Sequence, residues 1–112
     1  MNKKYLCALL ALLSFCSAHA ATEQVSVDKT ITSIHAYETF VFIKFTPSHT
    51  TDLGCTDPDS NRRVVIDTST EKGKNMYSVA LAAAAAKKNV GFGLNGCIDG
   101  RPLLYRIDVS FQ

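Results

Sequence analysis

Twelve lysines and arginines against ten acids in 112 residues leave a formal net charge of +2, too little for a protein that holds nucleic acid by neutralising phosphates. The length allows one domain and not two. An apolar run from Tyr5 to Phe15, behind Lys3 and Lys4, is too short to span a bilayer.

That run leads to Ala18-His19-Ala20, a small-x-small cleavage site. Residues 1–20 therefore read as a secretory signal peptide, with the mature chain starting at Ala21. The expected location is the periplasm or the extracellular medium, with no membrane span after cleavage. A lipid anchor on Cys16 is the rival reading; Phe15 opposes it, because a lipoprotein signal needs a very small residue there. Loss of Lys3 and Lys4 leaves ten basic residues against ten acids over 21–112, a neutral domain. Such a domain buries only about two-thirds of its unfolded surface, so a covalent staple would help it. Cys55 and Cys97 are the cysteines that remain, and one intramolecular pairing is open to them. An oxidising compartment favours that disulfide over two free thiols or an intermolecular bridge. Two sulfurs without a histidine nearby in sequence are too few ligands for a metal site.

Along the mature chain, Val25, Val27, Ile31 and Ile34 among Thr and Ser predict a first strand over 25–34. A polar turn at His35 to Glu38 follows. Thr39 to Phe45 is β-branched and aromatic on both faces, which predicts a central strand covered on two sides. If Val41, Ile43 and Phe45 fill the core, Phe40 and Phe42 point the other way. They then lie under a loop or form an interface or ligand-stacking face. The longest loop, Pro47 to Asn61, holds Cys55. Its Asp57-Pro58-Asp59-Ser60-Asn61 stretch is similar to the start of a calcium loop. Arg62 replaces the turn glycine and Thr68 the bidentate carboxylate, so a solvated Asp-Pro turn is expected.

Arg63 to Thr68 predicts a third strand, with Val64 and Ile66 on one face and Arg63, Val65 and Asp67 on the other. Thr68 to Glu71 has capping-box spacing, and a helix is predicted over 73–87, stopped near Asn89. The alanines from Ala82 to Ala86 suit tight packing on the sheet, or contact with a neighbouring subunit's helix. A fourth strand follows from Val90, Phe92 and Leu94 alternating with Gly91, Gly93 and Asn95. Asp99-Gly100 marks a turn, and Leu103, Tyr105, Ile107, Val109 and Phe111 predict the fifth strand.

Gly91-Phe92-Gly93-Leu94-Asn95-Gly96 has dinucleotide-fingerprint spacing, but a helix precedes it where a strand is required. Gly91 and Gly93 are better read as leaving one sheet face bare for a close neighbour. His35 and His49 are isolated and no nucleophile elbow occurs, so neither catalysis nor a cofactor is expected. Tyr37, Phe40, Phe42, Arg101 and Tyr105 are the candidate ligand or interface contacts, with the two tyrosines and Arg101 suited to stacking on a sugar.

The expected fold is mainly β with one helix (α+β), in the order β-β-β-α-β-β of a five-stranded OB-like barrel. Val65 to Thr70, Asn75-Met76-Tyr77-Ser78, the alanine-rich helix, Lys88-Asn89-Val90 and Gly96-Cys97 resemble a family of short exported bacterial proteins of unassigned function. That resemblance covers roughly residues 62–110. More distantly, the helix, strand and cysteine order is similar to the receptor-binding B subunit of subtilase-type AB5 toxins, an OB-fold pentamer. The likeness implies a homo-oligomer with helices around a pore and glycan pockets on the barrel, although no position matches that family's sugar-binding motif. The expected function is a non-catalytic binding or assembly module for a glycan or another protein. The alternative is a monomeric periplasmic protein that inhibits or assists a partner.

Overall fold

The computed structural model describes residues 22–111; the leader and its cleavage residues Ala18, Ala20 and Ala21 lie outside them. The elements are β1 (Thr22–Ala36), β2 (Phe40–Thr46), β3 (Arg63–Asp67), α1 (Glu71–Ala85), β4 (Val90–Ile98) and β5 (Arg101–Val109). The chain is therefore mainly β, with its helix between the third and fourth strands. The five strands close into a ring in the order β1-β2-β3-β5-β4. All neighbours are antiparallel except β3 and β5, whose parallel contact rests on the Val65–Leu103 pair.

β1 is longer than its apolar pattern suggests because it serves two neighbours. Thr22 to Lys29 pair with β4, and Thr30 to Ala36 pair with β2. Between Val25 and Lys29 the strand sets four residues against the two from Phe92 to Val90, so it bulges from the ladder but keeps its phase; the phase changes between Ile31 and Ser33, where one extra residue enters. Val25 is inward and fully buried, whereas Val27 is exposed and Lys29 takes the next buried position. Lys29 Nζ escapes isolation by pairing with Asp28 at 3.2 Å and donating to the Ser48 carbonyl at 3.3 Å. Val27 therefore counts toward the strand's apolar pattern without belonging to the core, because it sits in the bulged stretch.

Inside the ring, Val25, Val41, Ile43, Phe45, Val64, Ile66, Val90, Phe92, Leu94 and Leu104 form one cluster, with Ala80 and Ala83 of α1 closing one end. Each large side chain contributes about 2 kcal/mol by leaving water. The fifth strand departs from its sequence pattern as well. Leu104 faces Leu94 while Arg106 faces Gly93, leaving Tyr105 as the extra residue of a bulge. Leu104, Ile107 and Val109 therefore pack inward, and Tyr105 lies on the bare surface of Gly93, where an added Cβ would sit 2.8 Å from its ring. Gly91 is bare for the same reason, with the Val25 carbonyl 2.7 Å from any Cβ.

Thr70 is the N-cap of α1, its hydroxyl accepting from the Gly73 amide at 3.0 Å, a bond that contributes about 1 kcal/mol. The helix starts at Glu71 rather than Gly73. Gly73 is obligatory because the Asp67 carbonyl occupies the space of a side chain there. At the other end Lys87, not Asn89, turns out of the helix with φ 55°. Its amide donates to Ala84 and that of Lys88 to Ala83, the bond pair of a Schellman stop. Gly73, Met76, Tyr77, Ala80 and Ala83 share the packed stripe, the helical period expected of a one-sided helix.

Candidate functional site

β2 alternates as its sequence requires: Val41, Ile43 and Phe45 turn inward and Phe40 and Phe42 outward. Across the ladder Phe40 faces Asp67, Phe42 faces Val65 and Lys44 faces Arg63. The outward side of β2 and β3 thus gathers rings next to charged groups. Tyr37, in the β1–β2 turn and 54% exposed, stacks on Phe40 with centroids 4.7 Å apart and meets Phe42 edge-on at 5.4 Å. Phe42 is only 7% exposed because two guanidinium groups cover it, Arg101 at 4.7 Å and Arg63 at 5.0 Å.

Asp57 holds those arginines in place. Its Oδ2 accepts from Arg63 Nε at 3.1 Å and Nη2 at 2.7 Å, and lies 3.8 Å from Arg101 Nε. Burial alone would raise the Asp57 carboxyl, but the Arg63 hydrogen bonds, the Asp59 amide and the two positive charges outweigh it and hold it below the usual carboxylate range. Asp59 pairs with Arg62 at 2.6 Å. The stretch that is similar to a calcium loop therefore spends both carboxylates on arginines.

Besides the Asp57–Arg101 pair, two further links fasten this loop to the β4–β5 hairpin. Cys55 and Cys97 form the disulfide, Cα to Cα 5.7 Å, and the Asp57 amide donates to the Gly100 carbonyl at 2.8 Å. Asp99 and Gly100 both have positive φ, 50° and 77°, the two-residue hairpin that an Asp-Gly pair encodes.

Between these parts lies a cavity of about 420 Å³, within the size range of small-ligand pockets. Phe40, Thr39, Asp67, Ser69, Asp99 and Arg101 contribute to its lining, over a floor of Val65 and Ile98. Asp67 Oδ1 accepts from the Ser69 hydroxyl at 2.5 Å and amide at 3.0 Å. Those bonds keep the Asp67 carboxyl below its ordinary range. No family model, curated protein or solved structure matches this chain.

Of the five candidate contacts, Tyr37, Phe40, Phe42 and Arg101 come together here. Phe42 serves as the bed on which Arg101 lies rather than as an open face. Tyr105 does not join them; it sits over Gly93 with Lys72 and Arg106 each 5.8 Å from its ring. Sequence reasoning missed Asp57, Arg63, Asp67, Ser69 and Asp99. The outward placement of Arg63 and Asp67 was readable from the alternation of β3, but their meeting with the β2 rings needed the register. A second cavity, about 340 Å³, runs between α1 and the end of β5 past Val79, Ala82, Ala86 and Phe111, the last 83% exposed.

Proposed function

We propose that this chain is an exported, non-catalytic binding module that takes carbohydrate in the cavity beside β2 and β3. The observation that carries the proposal is the Phe40 ring lining the cavity with Arg101 and Asp67, with Tyr37 stacked on that ring. An aromatic ring flanked by a fork of donors and by carboxylate acceptors suits the apolar patch and hydroxyl rim of a sugar ring. OB barrels bind oligosaccharides and oligonucleotides on the strand 2–3 face and on the loops joining strands 1–2 and 4–5. The cavity occupies that position, and the neutral charge balance of 21–112 favours the saccharide. The disulfide supports export, since such bonds persist in oxidising compartments.

Glycan-array screening of the mature protein tests this. Retention of a subset of glycans is expected, with Phe40→Ala, which removes the ring that lines the cavity, weakening it by about 1–2 kcal/mol, the scale of one lost aromatic contact. An array with no retained member removes the proposal.

The exposed groove at Val79, Ala82 and Phe111 favours a second reading, in which the domain also assembles with its own kind or with another protein. Light scattering separates the two: a mass above one chain supports a homo-oligomer, and a strict monomer leaves the groove to a different partner.

A further inference from the structure

The charges around the cavity do not cancel. Arg63 is committed to Asp57 and Arg62 to Asp59, so those pairs close on themselves. What faces the cavity is Arg101 against two carboxylates, Asp67 and Asp99. Asp67 is engaged through Oδ1, and its Oδ2 makes no hydrogen bond among the described residues. Arg101 has its positive charge answered by Asp57 at 3.8 Å, while its guanidinium sits over the Phe42 ring at 4.7 Å and its buried Nε has no hydrogen-bond partner among the described residues.

We infer that the cavity selects uncharged sugars and that Asp67 is the residue that enforces the choice. The inference rests on the carbohydrate reading above and adds to it the charge class of the ligand. A sugar hydroxyl both donates and accepts, so it can give its proton to Asp67 Oδ2 while a neighbouring hydroxyl accepts from Arg101. A carboxylate or sulfate substituent at that position offers acceptors only. It would satisfy Arg101 but leave its charge against Asp67 and Asp99 in a half-enclosed space, where like charges repel and neither is well hydrated. With two acids to one base, exclusion outweighs attraction.

The test is an array that displays neutral glycan cores beside the same cores carrying a carboxylated sugar, probed with the wild-type chain, Asp67→Asn and Asp99→Asn. Asp67→Asn keeps the Oδ1 that caps Ser69, and Asn tolerates the positive φ of residue 99, so both variants should fold. The wild-type chain is expected to retain neutral members and reject their carboxylated counterparts. Asp67→Asn should shrink that discrimination by about tenfold, the size of one charge–charge interaction across a wet cavity. Asp99→Asn should shift it in the same direction by less. Equal or preferred retention of carboxylated members by the wild-type chain overturns the inference while leaving the carbohydrate reading standing, and so does discrimination unchanged in both variants. Retention of nothing overturns both.

Discussion

Replacing Cys55 and Cys97 together by alanine should lower the unfolding free energy by about 4 kcal/mol, the loop-entropy cost of freeing a crosslink between residues 42 apart. A domain of this size has roughly 5–13 kcal/mol of stability in all, so the variant should lose a third or more of it. The bond closes nothing that the ring of strands would close by itself. It joins the long β2–β3 loop to the far end of β4, beside the Asp57–Gly100 hydrogen bond and the Asp57–Arg101 ion pair that hold the loop to the following turn and strand. Urea unfolding of the double variant against the wild type reads the difference directly. A loss under about 1 kcal/mol would mean that the unfolded chain is already compact around these residues. The protein as isolated should also have the mass of a chain starting at Ala21, less two hydrogens. Reduced thiols or a retained leader would remove the case for export.

The legible parts of this fold are those where one local rule decides. Asp99-Gly100 encodes its hairpin because two consecutive positive-φ residues are needed, and Asp and Gly accept that conformation best. β2 is read correctly because five apolar residues in seven admit one division into faces. The failures share one cause. β1 slips by one residue between Ile31 and Ser33 and β5 at Tyr105, and such a slip shifts the side chains beyond it to the other face without leaving a signature in the alternation. Tyr105 therefore faces away from Ile107 and Val109, whose alternation it shares, while Lys29 is buried at a position its polarity does not suggest. The helix boundaries were missed more narrowly: Thr70 competes with Thr68 for the cap, and Lys87 accepts a conformation usually left to glycine.

The site shows the same division. Phe40 and Phe42 were identifiable as outward rings from their own strand. Their partners could not be found that way, because Arg63 and Asp67 reach them across a ladder and Asp57 arrives from a loop. The closest clue was composition: a loop with two acids followed by two arginines invites pairing at short range. It does not say which acid meets which base. That choice depends on the disulfide, which brings residue 57 against the β4–β5 turn instead of letting it face solvent.

Asp57→Ala should therefore cost about 3 kcal/mol of stability, well above the fraction of a kcal/mol typical of an exposed ion pair. The reason is burial: the Asp57 side chain is 8% exposed and that of Arg63 18%. Removing the carboxylate strands a guanidinium over Phe42 with little water to hydrate it. Asp59, 3.8 Å from Arg63, offsets part of the loss and keeps the estimate at the low end for a broken buried pair. Acid should erase the same difference without mutation. The folded Asp57 carboxyl titrates below its unfolded value of about 3.9, so its contribution is complete above that value and disappears as pH falls through the folded one. The gap between the wild type and Asp57→Ala, measured by urea unfolding, should be constant at pH 5 to 7 and narrow steadily below pH 4. A gap that stays full in acid, or that never exceeds 1 kcal/mol, would show that Arg63 and Arg101 are held by Phe42 alone.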